Sequence, residues 1–322
     1  MSHHTPRTLR LAVWNTFLLP GLGPGDRGWL GSRLASRRAD EIGRALAGSY
    51  DVAALSEVWR PRDRQRLRRA WADAGHGPDV VAGLDGPGDL LRRGSGLATL
   101  VDGPRLDRDD RIAYRSRERA HQGIDAWPRK GAVACAVEAP GGGLLEVVST
   151  HLAIGGWIDP GPDHRKGRAV RRRQLAELVE FADAFHREPA TLLVVGDLNV
   201  VAGTDEYRDL CSMMGEVGLV DWWPLLGAGH GVTCGHGRWP DGAPADADEP
   251  AFCADRELDV PSGSGAARID YVFGPPPASG DLVPVRLRRR RFAWPDAPAT
   301  PRGEPRHDLS DHLALHLELE SS

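Results

Sequence analysis

The stretch Leu309-Ser310-Asp311-His312-Leu313-Ala314-Leu315 sets an acid and an imidazole directly against an apolar run of β character. Four other stretches have the same form: Val13-Trp14-Asn15-Thr16, Ala54-Leu55-Ser56-Glu57, Val148-Ser149-Thr150-His151-Leu152 and Leu193-Val194-Val195-Gly196-Asp197-Leu198-Asn199. In each, strand-forming residues begin or end on a carboxylate, carboxamide or imidazole. A twisted sheet can gather such side chains at one rim, and the collection suits metal-assisted hydrolysis of a phosphoester.

Working outward, short β-rich apolar runs predict strands over 8–17, 52–56, 96–101, 131–137, 144–152, 191–196, 268–273, 282–292 and 313–318. Helices are expected over 36–46, with Ser36 as a cap and Ile42 and Leu46 on one face, and over 170–185, with Leu175, Leu178, Val179 and Phe185 near one face. Strands alternate with helices in part of the chain and follow one another directly elsewhere. That order fits helices packed outside two stacked mixed sheets. Pro20 to Gly31 and Gly227 to Gly265 read as loops. The runs ending at His151 and beginning at His312 echo each other, so a pseudo-twofold pair of half-sheets can bring both histidines to one site.

With 322 residues, 41% of them hydrophobic, the chain can bury a substantial core. A formal net charge of −4 excludes a global cationic field of the kind that drives nonspecific binding to nucleic acid or anionic membrane. Lysine occurs only at 130 and 166, against a large number of arginines. No apolar stretch approaches bilayer-spanning length, so no stable membrane insertion and a cytoplasmic location are expected. Cys135, Cys211, Cys234 and Cys253 lack CxxC spacing, which argues against a zinc knuckle or redox motif; Cys234 and Cys253 can pair only in an oxidising setting.

Phosphoester hydrolysis needs charge neutralised on the phosphoryl oxygens, an activated water and help for the leaving oxygen. Mg²⁺ takes one or two carboxylates plus waters rather than a full protein cage. Glu57, at the end of an apolar run, is the best single ligand candidate, and Asn15 can assist as a neutral oxygen donor; the bland alternatives are a solvated loop acid and a turn-forming asparagine. Asp197 and Asn199, two apart in extended chain, face the same way and can serve water and a phosphoryl oxygen, unless they form an Asx turn. His151 and His312 are acid–base candidates. Asp270 can hold one of them in its tautomer, or else pair with Arg268.

Taken in this order, these segments resemble the endonuclease/exonuclease/phosphatase superfamily, the DNase I-like fold, over residues 8 to 318. The resemblance implies one catalytic domain of that span, an α/β fold built as a four-layer α/β/β/α sandwich of two stacked mixed sheets, and Mg²⁺ as cofactor, with Mn²⁺ or Ca²⁺ as alternatives. It places Asn15 and Glu57 on the metal side, His151 on the phosphate and leaving-group side, and Asp197 and Asn199 at water and phosphate. Asp270 then supports a histidine, and Asp311 with His312 supplies a second metal-side group and the base. Whether Asp197 or His312 accepts the proton differs between branches, and His312 is preferred.

Finer features are similar to the neutral sphingomyelinase branch. Trp14-Asn15-Thr16-Phe17-Leu18-Leu19-Pro20 resembles its opening block, Asp125 to Lys130-Gly131 its Asp and Lys-Gly element, and Gly231-Val232-Thr233-Cys234 before Arg268-Ile269-Asp270-Tyr271 its long insert. This likeness implies a phosphodiesterase acting on a phospholipid or related small phosphodiester, with a lipid headgroup favoured over nucleic acid and Asp125 and Lys130 acting as a coupled pair. No protein partner is implied. Where an exposed aromatic membrane hairpin is expected, this chain has Arg286, Arg288 to Arg291, Phe292 and Trp294, either a solvated strand edge or a phosphate contact with an apolar face. Trp222 and Trp223 read as core, and Trp157 as lining for a substrate mouth. A nuclease, or a phosphoinositide-type phosphatase, can use the same site.

Overall fold

Along Leu9–Leu18, Leu9, Leu11 and Val13 point to one face and Ala12 and Trp14 to the other, and all five are buried. Fully burying a large apolar side chain contributes about 1.5–3 kcal/mol, so a strand apolar on both faces is stable only between two layers. The computed structural model describes residues 8–19, 34–84, 94–116, 129–154, 164–229, 231–234, 267–277, 279, 281–294 and 308–321.

In chain order the elements are β1 (Leu9–Leu18), α1 (Ala35–Leu46), β2 (Val52–Val58), α2 (Pro61–Asp73), β3 (Asp79–Ala82), β4 (Ala98–Val101), β5 (Arg105–Ala113), β6 (Gly131–Glu138), β7 (Leu144–His151), α3 (His164–Phe185), β8 (Thr191–Asp197), α4 (Asp205–Gly215), β9 (Val220–Asp221), α5 (Trp223–Leu226), β10 (Asp270–Gly274), β11 (Leu282–Arg290) and β12 (Ala314–Ser321). Among the described residues they form two six-stranded sheets, β11-β12-β1-β2-β4-β3 and β5-β6-β7-β8-β10-β9. Leu11, Val13 and Val52 from the first sheet meet Val133, Val147 and Leu193 from the second in a shared core. Outside the first sheet, Trp14 and Leu55 pack with Ile42 and Leu46 of α1 and Leu67 and Trp71 of α2. Outside the second, Val148 and Val194 pack with Leu178 of α3 and Leu210 of α4. The result is the expected α/β/β/α sandwich.

Both sheets run antiparallel, antiparallel, parallel, antiparallel, antiparallel in the orders given, with the parallel pairs β1/β2 and β7/β8 at their centres. The halves therefore correspond, β1 with β7, α1 with α3 and β2 with β8. This corrects the sequence echo. His151 ends β7, so its counterpart is Asn15 in β1; His312 lies just before β12, the counterpart of β6, and so corresponds to the segment of Lys130 rather than to His151.

Helix α1 starts at Ala35 with Leu34, at φ 56°, in the cap position and no side-chain cap, so Ser36 lies inside the first turn. Helix α3 begins at His164, six residues before the expected start. Strands β3, β5 and β9 and helices α2, α4 and α5 lie outside the sequence expectation. β5 is an edge strand whose Arg105, Asp109 and Arg111 pair with one another, and such a charged edge carries no apolar alternation. Among the described residues no helix is long and apolar enough to cross a membrane.

Candidate active site

Asn15 and Glu57 lie near the ends of the parallel pair in one sheet, His151 and Asp197 close the parallel pair in the other, and Asp270 opens β10. Backbone strain concentrates here. Glu57 and Asn199 adopt φ of 61° and 51°, and Phe17, two residues past Asn15, adopts 50°; non-glycine residues hold this conformation only where their surroundings impose it. Gly196, at φ 134°, is needed because a Cβ would run into the Thr150 carbonyl oxygen.

The side chains form one connected group across the two sheets. The Asn15 amide nitrogen donates to Glu57 Oε1 at 3.1 Å and to Asp197 Oδ2 at 2.9 Å, while its oxygen accepts from the Phe17 amide at 3.0 Å. His151 Nε2 and His312 Nε2 lie 3.6 Å and 4.0 Å from the same Asp197 oxygen. His312 Nδ1 is 2.8 Å from Asp270 Oδ2, and Lys130 Nζ is 2.8 Å from His151 Nε2. The Asn199 amide nitrogen donates to the Leu152 carbonyl, and its backbone N–H reaches Asp197 Oδ1 in an Asx turn. Asp197, His151, Lys130, Asp270 and His312 are all buried.

Burial and the neighbouring Asp311 push the Glu57 carboxyl up to about 7, and burial and Asp270 do the same to Asp197. Burial, reinforced by the Lys130 ammonium, keeps His151 well below the ordinary imidazole value. Burial works against a charged His312, but the adjacent Cys234 sulfur and the Asp270 carboxylate outweigh it and raise His312 well above that value. The histidines thus occupy opposite protonation regimes within one cluster.

Thr233 holds Asp270 and His312 in register. Its hydroxyl accepts the Ile269 and Asp270 amides, both at 3.2 Å, and its carbonyl accepts the Leu313 amide at 2.7 Å. Cys234 bridges both Ala267 and His312. Sequence reasoning singled out this segment only as a family likeness, because a threonine that anchors two distant strands carries no periodic signal.

The arginine run is less exposed than a solvated edge would be. Arg289 is buried over the Trp223 ring and donates to the Val232 carbonyl at 3.0 Å, and Arg291 is buried against Asp308. Phe292 and Trp294 pack into the core beside Trp14, so they offer no exposed face to a headgroup. Asp270 pairs with His312, while Arg268 binds Asp221 at 2.7 Å. Trp222 and Trp223 are core, as expected. Asp125, Trp157 and Cys253 lie outside the described residues.

A hard divalent cation suits the donors present. Glu57 Oε2 is buried and accepts no hydrogen bond, an arrangement that costs free energy until positive charge reaches it. Glu57 and Asp311 both offer oxygen, the donor such ions prefer. Asp197, Asp270 and His312 also bring one donor atom each within 4.8 Å of one another.

The family model described as Endonuclease/Exonuclease/phosphatase family matches residues 13–312. No curated protein matches the chain in sequence. Among solved structures, beta toxin 275-280 from Staphylococcus aureus is similar over 96% of this chain and 99% of its own, at 20% identity and TM-score 0.66. Sphingomyelinase C from Streptomyces griseocarneus matches over 97% and 99%, at 22% identity and TM-score 0.60. D. rerio TDP2, complexed with single strand DNA product, matches over 97% and 98%, at 16% identity and TM-score 0.60. These likenesses bear on the fold. By the family match over nearly its whole length, the chain belongs to the endonuclease/exonuclease/phosphatase family of metal-dependent phosphoester hydrolases.

Proposed function

We propose that the protein is a Mg²⁺-dependent phosphodiesterase, a single catalytic domain over residues 8–318, that releases a headgroup phosphate from a phospholipid or a related small phosphodiester in the cytoplasm. Glu57 and Asp311 would hold the ion, and Asn15 links Glu57 to Asp197 and so fixes the distance between the metal side and the water side. An ion held there would supply charge neutralisation at the phosphoryl oxygens and would favour the ionised forms of the buried acids. A beta toxin variant of this fold is described with bound magnesium ions.

Asp197 orients the attacking water, and His312, with Nδ1 fixed by Asp270, takes its proton at Nε2 from the neutral form, which positive charge held at Glu57 and Asp311 would favour over the imidazolium of the metal-free site. His151, kept neutral, and Lys130 face charge developing on the phosphoryl and leaving oxygens.

The observation that carries the substrate reading is Lys130. The Lys-Gly step that resembles the sphingomyelinase branch puts its ammonium 2.8 Å from His151. The basic and aromatic run that a polyanion would need is, for Arg289, Arg291, Phe292 and Trp294, turned into the fold. The test is a hydrolysis screen across sphingomyelin, lysophospholipids, inositol phosphates and DNA with Mg²⁺, Mn²⁺ and Ca²⁺. Headgroup phosphate released faster than DNA is cut supports the reading. Rapid plasmid or abasic-site cleavage without headgroup release overturns it in favour of a nuclease.

A further inference from the structure

We infer that Arg38 and Arg171 are a matched pair of positioning residues, each fixing the strand end that carries one half of the site; this rests on the phosphodiesterase reading above. They lie on corresponding helices, α1 after β1 and α3 after β7, and are 0% and 1% exposed. Arg38 donates from Nη2 to the Thr16 carbonyl at 2.7 Å, from Nη1 to Phe17 at 2.9 Å and from Nε to Leu309 at 2.8 Å. Thr16 and Phe17 follow Asn15. Leu309 precedes Ser310, whose hydroxyl donates to the Asn15 carbonyl at 2.6 Å and accepts the His312 amide at 3.1 Å. One guanidinium therefore ties the turn after Asn15 to the segment carrying Asp311 and His312.

Arg171 does the equivalent in the other half. Its Nη1 donates to the carbonyls of Ala153 at 3.2 Å and Ile154 at 2.6 Å, and its Nε and Nη2 grip Glu206 at 2.7 and 2.8 Å. Gln174, one turn on, accepts the Ala153 amide at 2.9 Å. The intervening Leu152 donates to the Asp197 carbonyl and accepts from Asn199, both at 3.0 Å. Arg171 thus sits behind the segment after His151, where Leu152 ties the end of β7 to Asp197 and Asn199.

Both arginines occupy positions that helical spacing reserves for apolar residues, Arg38 among Ala35, Ala39 and Ile42, Arg171 among Val170, Leu175 and Leu178. A buried guanidinium is commonly no better for stability than an apolar side chain of similar volume. Its planar fork, however, fixes several carbonyls at once, which a lysine cannot do. Two such residues, one per half and each on the carbonyls beside a site residue, are accounted for by the geometry they impose.

The test compares Arg38→Met, Arg38→Lys, Arg171→Met and Arg171→Lys on whichever phosphodiester the wild type hydrolyses, together with imidazole spectra of ¹⁵N-histidine-labelled protein. Each Met variant should lower kcat by about 10²-fold, as expected for misplacement of reacting groups by about 1 Å, with KM within about threefold. Lysine should restore only part of the rate. Arg38→Met should move the His312 ring signals and leave those of His151, and Arg171→Met should do the reverse. Folded Met variants with wild-type kcat and unmoved signals overturn the proposal, leaving both arginines as parts of the fold alone. If the Met variants do not fold, the Lys variants decide on the same two readouts. A wild type that hydrolyses no phosphodiester refutes the functional reading, while the histidine spectra still decide the role of the arginines.

Discussion

Asp270→Asn isolates the acid–imidazole pair, because it keeps the side chain's shape and removes its charge. Asp270 is 1% exposed and its Oδ2 lies 2.8 Å from His312 Nδ1. A hydrogen bond with a charged partner contributes about 1.5–3 kcal/mol, and each 1.4 kcal/mol or so off transition-state stabilisation is about tenfold in rate. The bond's loss therefore predicts a fall in kcat of about 10- to 150-fold, more if the asparagine amide turns the imidazole to the wrong tautomer. The same change removes a charge that, after burial, does most to raise Asp197, so Asp197 should ionise at lower pH in the variant. Steady-state kinetics at saturating Mg²⁺, with thermal unfolding as the control, provide the assay. A variant of native stability with kcat within about threefold of wild type would refute the role assigned to the pair.

Glu57→Ala should lose most activity at low Mg²⁺ and regain part of it in excess, because one carboxylate supplies much of a sparse site; near-normal turnover at low Mg²⁺ removes Glu57 from it. His151→Ala and His312→Ala should each lower kcat by about 10²-fold or more with the fold kept, and wild-type rates in both would end the acid–base assignment. Glu57 and Asp197 bind protons more tightly in the chelated folded protein than in the unfolded chain, so their stabilising contribution is full below about pH 4 and is lost as pH rises through about 7. His151, whose folded value is depressed, acts in the opposite sense and loses its contribution as pH falls below about 6.5. Denaturant unfolding in chelator should therefore show a smaller loss of stability between pH 5 and 8 for Glu57→Gln than for wild type, and an unchanged difference would contradict the burial argument.

What the sequence made legible follows from which signals are local. The central strands are apolar on both faces and end on polar residues, so the runs to Asn15, Glu57, His151 and Asp197 announced both the stacked sheets and the rim they share. The pairing of Asp270 with His312 depends on Thr233 and Cys234 crossing between sheets, a contact between distant parts of the chain that no periodicity encodes. Arg38 and Arg171 did carry a signal, an arginine at an apolar helical position, but in an arginine-rich chain it was hidden among solvated charges. Phe292 and Trp294 misled for a related reason: next to Arg288 to Arg291 they read as an exposed face, whereas Trp14 takes them into the core. Edge strand β5 stayed invisible because its residues satisfy one another by charge.

The most direct test measures release of phosphocholine from sphingomyelin vesicles by the purified protein with Mg²⁺, with chelator, and with His312→Ala. The cluster joining Glu57, Asn15, Asp197, His312 and Asp270 predicts release that requires Mg²⁺, stops on chelation and falls by about 10²-fold in the variant. Release that persists in chelator, or that His312→Ala leaves at the wild-type rate, would contradict it.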